Sequence, residues 1–233
     1  MSPVPKHVGV IMDGNRRFSR RLMAKPWKGH EWGAQKLLDL LSWCRDLGVA
    51  ELTVYAFSVQ NFERSKDEFD ALMTIFRESA DKLATEIDLG KYNDVRVVFI
   101  GRLGLFPTDV QESMQRVMDK TASHSGFRVN IAMGYGGREE VLDAVRRIGA
   151  AVAAGDLAVS AINEDVFSKH LYIDSEPDLV IRTGGEHRTS NFLIWQSHYS
   201  EWFFVEKLWP EFEKADFEAV LAAYASRDRR RGK

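Results

Sequence analysis

Short apolar runs and longer helical stripes alternate through about two-thirds of the chain. His7–Met12 is a compact apolar run that ends in Asp13-Gly14-Asn15, a turn signal. Leu52–Phe57, Val95–Ile100, Val129–Met133 and Leu179–Ile181 repeat the theme, rich in β-branched or aromatic residues, and read as buried strands. Glycine follows closely after each run except Leu52–Phe57, which ends in Ser58-Val59-Gln60-Asn61. Between the runs, Ala34–Leu47 carries Ala34, Leu37, Leu38, Leu41 and Cys44 on one side and stops at Gly48, a natural helix end. Ser65-Lys66-Asp67-Glu68 fits a capping box, and Phe69, Leu72, Met73, Phe76, Ala80, Leu83 and Ile87 follow at helical spacing. Pro107-Thr108 introduces another helix, Arg138–Ala154 forms a fourth, and Pro210 opens a last one reaching about Ser226. This alternation predicts an α/β fold, a single domain over 1–233 with a mainly parallel central sheet surrounded by helices. An apolar stripe ordinarily means core packing, but the same helix face can also wall a hydrophobic tunnel.

Composition narrows the class. With 45% hydrophobic and 28% charged residues the chain reads as an ordinary globular protein. A net charge of −2 argues against a nucleic-acid partner, although it hides basic clusters at Arg16, Arg17, Arg20, Arg21, Lys25 and Lys28 and again from Arg227 to Lys233. The one cysteine, Cys44, excludes an intramolecular disulfide and a cysteine-rich metal site. The opening MSPVPKH lacks the apolar core of a signal peptide, and no apolar run reaches the ~18–20 residues of a membrane span. The expectation is a cytoplasmic protein.

The most unusual polar sequence falls where strands give way to loops, the place where open parallel sheets bind ligands. In the first such stretch, Asp13-Gly14-Asn15-Arg16-Arg17 leads into a basic helix, an anion site by its glycine, helix amides and guanidiniums. Asp13 suits a phosphate only if a divalent cation lies between, and Mg²⁺ takes such mixed ligands. The alternative is a surface turn before a solvated basic helix. In the second, Ser58, Asn61 and Arg64 share one loop, which could equally be a polar cap for the next helix. In the third, Arg182-Thr183-Gly184-Gly185-Glu186-His187-Arg188-Thr189-Ser190-Asn191 makes a second phosphate cradle. Glu201 sits among aromatics, where an unpaired charge is costly, so a metal or an arginine is its expected partner.

Together these stretches resemble the cis-prenyltransferases, the undecaprenyl diphosphate synthase-like enzymes, including archaeal-type members. The resemblance runs from His7 to Gly232 through HVGVIMDGNRRF, YAFSVQNFERS, GYGGREE, DLVIRTGGEHRTSNFLIWQ and the closing Arg230-Arg231-Gly232. It implies a Mg²⁺-dependent transferase that joins isopentenyl diphosphate to an allylic diphosphate primer, geranylgeranyl or farnesyl diphosphate, to make a Z-polyprenyl diphosphate. It implies Asp13 and Asn61 as catalytic residues, with Asp13 and Glu201 on the metal and His187 a weaker candidate. Gly14, Asn15, Arg16, Arg17, Phe18 and His30 would hold the allylic diphosphate. Ser58, Phe62 and Arg64 belong to the binding set, and Arg182, Arg188 and Ser190 would take the diphosphate of isopentenyl diphosphate. A homodimer is implied, with Arg230 and Gly232 reaching the partner's site, and with peripheral membrane contact through the lipid product. Ala56, Leu72, Met73 and Phe76 would set the tunnel's far end.

The chain departs from many relatives at Pro26, where they carry arginine, leaving Lys25 or Lys28 to replace its charge. It also has Phe18 and Gln60 where tryptophan and glutamate are frequent. Two alternatives stand beside elongation on this fold: a non-catalytic subunit of a heteromeric enzyme, and an irregular or short-chain isoprenoid synthase.

Overall fold

The computed structural model describes residues 4–227. In chain order the strands are β1 (His7–Ile11), β2 (Glu51–Ser58), β3 (Val95–Ile100), β4 (Phe127–Tyr135), β5 (Leu179–Arg182) and β6 (Glu201–Phe204). The helices are α1 (Asn15–Arg21), α2 (Lys28–Asp46), α3 (Lys66–Asp88), α4 (Thr108–Thr121), α5 (Gly137–Ala154), α6 (Glu164–Lys169) and α7 (Lys214–Ser226). The strands form one parallel sheet in the order β3-β4-β2-β1-β5-β6. From β1 the chain adds β2 beside it, β3 at the far edge and β4 between β2 and β3, then crosses back to lay β5 and β6 on the other side of β1. That reversal makes the boundary of β1 and β5 the switch point of the sheet, where a crevice opens at the strand tips.

Both faces of the sheet are covered, which is why the strands read as nearly continuous apolar runs. Val8, Val10, Leu52, Val54, Leu179 and Ile181 face α2, α3, α4 and α7, whereas Ile11, Val180, Ala132 and Tyr135 pack on the opposite side against Phe192, Leu193 and Ile173. A third cluster, centred on Phe57, gathers Leu72, Met73, Phe106, Val110 and Met114.

Five strand runs and the helices following Ser65 and Pro107 lie where the pattern predicts. Gly48 ends α2 with φ +78°, the left-handed conformation in which Val49 N–H bonds to the Cys44 carbonyl at 2.9 Å. Four details differ. Helix α2 begins earlier than Ala34, at Lys28, because its first turn is polar and carries no apolar period. Pro210 lies in a short 3₁₀ turn, Trp209–Glu211, and α7 begins after it at Lys214. β6 and α6 escape the pattern because both are too short for a period to develop. Finally, Ser65 is the N-cap residue of α3, but its side chain makes no capping bond and Glu68 points elsewhere.

The packing of α1 on α2 fixes the turn after β1. A Cβ at Gly29 would fall 2.0 Å from the Asn15 carbonyl oxygen, and one at Gly33 would fall 2.4 Å from Asn15 Oδ1. No flexible side chain can yield at Gly29, because the obstacle is backbone. Gly29→Ala should therefore lower stability by about 1–3 kcal/mol through overpacking. Urea denaturation should show this as a lower midpoint with an unchanged slope.

Candidate active site

Strand register assembles the site. Ile11 of β1 lies beside Arg182 of β5 and Tyr55 of β2. Asp13 just beyond β1, Arg182 at the tip of β5 and Ser58 at the tip of β2 therefore meet at the carboxyl end of the sheet. The backbone of Asp13 is fixed from three sides. Its N–H bonds to the Ile11 carbonyl at 2.9 Å, and its own carbonyl accepts from Trp209 N–H at 2.9 Å and Thr183 Oγ1 at 2.8 Å. Gly14 holds φ +113°, and a Cβ there would sit 2.8 Å from Leu208 Cβ, so the turn needs glycine.

Arg182 is the hub. Its side chain is 3% exposed, and its Nη2 donates to Asp13 Oδ2 at 2.7 Å. Its Nη1 donates to Ser190 Oγ and to the Arg188 carbonyl, both at 2.6 Å. Arg17 approaches the other oxygen of Asp13 at 3.2 Å, across Gly184, where a Cβ would strike Arg17 Nη2 at 2.5 Å. The Arg188 side chain extends outward and pairs with Glu186. Asp13, Arg17, Arg182 and Ser190 are thus one connected group.

A second group lies beside it. Arg64 Nη1 is 3.1 Å from Glu68 Oε1 and 3.4 Å from His30 Nε2, and Arg16 Nε reaches the same glutamate oxygen at 3.5 Å. Burial, then the charges of Arg64 and Arg16, hold the His30 imidazole down to about 3, so it is neutral at ordinary pH. Glu68, buried and carrying two guanidiniums, is a site residue that the sequence hid by offering it as a capping residue. Its position four residues after Arg64 was the available signal.

The Ser58–Asn61 loop is a tight turn in which Ser58 N–H donates to Asn61 Oδ1 at 3.0 Å. Asn15 donates to the Met12 carbonyl at 3.2 Å, so its amide builds the turn after β1. Phe62 packs edge-on to Phe57 at 4.9 Å and tilted against Phe106 at 5.1 Å, and Phe18 packs edge-on to Trp32 at 5.3 Å. Both phenylalanines pack behind the site, and neither lines the cavity beneath it. Lys25 lies over the Trp27 ring at 5.4 Å, and Lys28 pairs with Glu31 at 2.7 Å.

Beneath the polar rim a cavity of about 870 Å³ runs between the sheet and helices α2 and α3. Asp13, Asn15, His30, Ser58, Asn61, Arg64, Arg182 and Ser190 line its mouth. Leu37, Leu38 and Leu41 of α2, Phe76, Ala80 and Leu83 of α3, and Phe99 and Ile131 of the sheet line its depth. Ala56 and Phe76 stand in the wall as expected, but Leu72 and Met73 do not. They turn into the Phe57 cluster, since they lie on the α3 face that meets α4.

Two residues expected on the metal, Glu201 and His187, do not join the site. Glu201 opens β6 and registers with Leu179, which itself registers with Val8. Asp13 lies past the opposite end of β1, about 16 Å away along the strand direction. Glu201 instead pairs with Arg227, whose guanidinium lies over the Phe203 ring at 4.3 Å. Within one chain, then, Glu201 and Asp13 do not share a metal. His187 stacks on Phe204 at 4.9 Å and faces Glu206, away from Asp13. Arg230 and Gly232 lie outside the described residues.

The third loop is strained and tied down. Ser190, Asn191 and Leu193 all have positive φ, at +48°, +63° and +44°. Asn191 secures it by accepting from Arg138 N–H at 2.8 Å and donating to Glu139 Oε2 at 2.9 Å, while its carbonyl accepts from Gly137 N–H at 2.7 Å. A Cβ at Gly136 would meet Asn191 Nδ2 at 2.8 Å. The GYGGREE stretch therefore clamps the Arg188–Ser190 cradle. Behind it, burial raises the Glu140 carboxyl above its usual range, opposed by hydrogen bonds from Tyr135, Gln196 and the Tyr172 backbone.

Guanidinium groups at parallel strand tips, set over a deep apolar cavity, define a protein for amphiphiles with a polyanionic head and a hydrocarbon tail. Comparison with known proteins agrees. A family model described as "Putative undecaprenyl diphosphate synthase" matches residues 11–232. A Pyrococcus horikoshii tritrans,polycis-undecaprenyl-diphosphate synthase (geranylgeranyl-diphosphate specific) is 45% identical over 99% of this chain and 88% of its own length. A Thermus thermophilus isoprenyl transferase is 44% identical over 99% and 90%. The lavandulyl diphosphate synthase of Lavandula x intermedia, solved with dimethylallyl diphosphate, superposes with a TM-score of 0.91 at 34% identity, covering 99% of each chain. The chain belongs to the undecaprenyl diphosphate synthase family of cis-prenyltransferases.

Two outcomes follow from this geometry. The folded state resists protonating His30 between its ordinary value of 6.5 and about 3, where the unfolded chain takes up the proton freely. Its contribution is thus neutral above pH 6.5 and destabilising as pH falls toward 3. His30→Gln should flatten the acid limb of a stability-versus-pH curve in that window, as measured by urea midpoints. Asn191→Ala, which loses two side-chain bonds and a residue tolerant of positive φ, should cost about 1–3 kcal/mol in the same assay.

Proposed function

We propose that this protein extends an allylic diphosphate primer with isopentenyl diphosphate units to give a Z-polyprenyl diphosphate. The observation that carries the reading is the Arg182 bridge between Asp13 and Ser190 at the mouth of one apolar cavity. On this reading two anion cradles share a single guanidinium, as joining two diphosphate esters carbon to carbon requires. The cradle of His30, Arg16, Arg17 and Gly14 takes the allylic diphosphate, whose hydrocarbon tail enters the cavity. The cradle of Arg182, Arg188 and Ser190 takes isopentenyl diphosphate. Geranylgeranyl diphosphate is the favoured primer, because the Pyrococcus relative is described as specific for it.

Mg²⁺ fits as a substrate-borne ion. Among the described residues no group of three or more histidine, cysteine or acidic side chains converges, so Asp13 would offer the one protein carboxylate and substrate oxygens would supply the rest. When bound, the ion would offset charge growing on the departing diphosphate. The chain's own guanidiniums act in the same sense, strongest where charge develops. Neutral His30 offers a hydrogen bond without adding a charge. Asn61 has its Oδ1 occupied by Ser58 N–H, so its amide hydrogens face the reactants and orient them. The proton lost from isopentenyl carbon passes to a diphosphate oxygen or water.

A homodimer is supported by β6, the outer strand of the sheet among the described residues, where Trp202, Phe203 and Phe204 are only half-buried. Glu201 and Arg227 lie at that edge, and we read them as part of the subunit contact. Cytoplasmic placement with membrane contact through the product is consistent with the helices, none of which is long and apolar enough to cross a membrane among the described residues. An irregular condensation is the second reading, favoured by the lavandulyl synthase likeness. The wide cavity and the higher identity to the elongating relative weigh toward elongation.

Incubation with radiolabelled isopentenyl diphosphate, Mg²⁺ and primers of ten, fifteen and twenty carbons should label long chains, best with the twenty-carbon primer. Absence of label with every primer would refute elongation; a ten-carbon branched product would establish the irregular reading. Asp13→Ala should reduce kcat by about 10²–10³-fold. Ala80→Leu, which narrows the cavity between α2 and α3, should shift the product ladder to shorter chains on thin-layer chromatography.

A further inference from the structure

Both oxygens of the Asp13 carboxylate are committed to guanidiniums of the same chain. Arg182 holds Oδ2 at 2.7 Å and Arg17 approaches Oδ1 at 3.2 Å. The two contacts differ in weight. Arg182 is 3% exposed and locked by Ser190 and the Arg188 carbonyl, whereas the Arg17 side chain is 42% exposed. Solvent and salt screen the exposed contact and scarcely reach the buried one. A divalent cation and Arg182 therefore compete for the same carboxylate oxygen. By symmetry, a diphosphate and Asp13 compete for the same guanidinium.

We infer that Arg182 is an interlock between the two cradles: a diphosphate entering beside Ser190 draws the guanidinium from Asp13 and frees that carboxylate for the cation. This rests on the assignment of the cradles made above. Arg182 cannot relieve the conflict by losing a proton. Its Nε is buried with no hydrogen-bond partner, so the contacts it makes to Asp13, Ser190 and the Arg188 carbonyl leave the guanidinium incompletely satisfied. Once the diphosphate has taken the guanidinium, Asp13 is an uncompensated anion beside another anion, and a cation resolves both charges. Diphosphate and cation binding are then positively and reciprocally coupled. The consequence is protective. The cation reaches Asp13 only when isopentenyl diphosphate is seated, so the allylic bond is not activated while water is the sole acceptor.

The test uses the intact protein and two binding measurements. In EDTA, calorimetry should show Asp13→Asn binding isopentenyl diphosphate at least about 5-fold more tightly than the natural protein, the low end of typical site coupling. Glu206→Gln, which removes a nearby carboxylate that does not touch Arg182, should change that affinity less. With no diphosphate present, the electron paramagnetic resonance signal of free Mn²⁺ should show Arg182→Gln binding the ion at least about 5-fold more tightly. Arg17→Gln should show a smaller gain. Equal isopentenyl diphosphate affinity in Asp13→Asn and the natural protein would overturn the interlock, as would equal shifts in Asp13→Asn and Glu206→Gln. If Arg182→Gln fails to fold by circular dichroism, the Asp13→Asn measurement decides alone. Failure of the natural protein to bind isopentenyl diphosphate, with or without Mg²⁺, would instead refute the function on which the interlock rests.

Discussion

A buried guanidinium must be paired, and Arg182 meets that demand with groups from two separate stretches of chain. Asp13 follows β1, Ser190 and the Arg188 carbonyl belong to the loop after β5, and Arg182 itself ends β5. Removing one partner would leave a charge in a low-dielectric interior, at a cost far above that of an exposed ion pair. The parallel register of β1 with β5 and the course of the Gly184-Gly185 turn are held to the same geometry. Gly184 N–H bonds to the Lys207 carbonyl at 2.7 Å and Gly185 N–H to the Val205 carbonyl at 2.9 Å. The site is therefore inseparable from the switch point of the sheet.

Around that pair the protein divides polar from apolar work by height. At the strand tips, backbone bonds and glycines hold charged side chains in place. Below them, α2 and α3 stand apart from the sheet and leave a cavity lined by leucines and aromatics. Unusual conformations gather at the upper level: three non-glycine residues with positive φ sit in the loop that carries Ser190. Such strain persists where surrounding bonds over-determine it, and Asn191 supplies those bonds through Glu139 and the start of α5.

Much of this could be read in the order of residues. Runs such as Val95–Ile100 are long enough and β-branched enough to name themselves as strands, and Gly48 ends a helix for a reason visible in one residue. The diphosphate cradles also announced themselves, because Asp13-Gly14-Asn15-Arg16-Arg17 and Arg182–Ser190 concentrate charge and glycine at strand ends. Short elements were different: β6 and α6 lack the length for periodicity, and their existence depends on neighbours. Glu68 misled because a local rule, the capping box, and a tertiary partner, Arg64, competed for one carboxylate, and the buried ion pair won.

The chain itself determined the α/β alternation, the basic and glycine-rich strand ends and the apolar faces that could enclose a hydrocarbon, since each depends on residues close in sequence. Tertiary structure alone decided which acidic groups meet which arginines. It joined Asp13 to Arg182, removed Glu201 to the far end of the sheet and turned Leu72 and Met73 out of the cavity wall. Those outcomes follow from strand order, register and helix rotation, which are fixed by packing among distant segments.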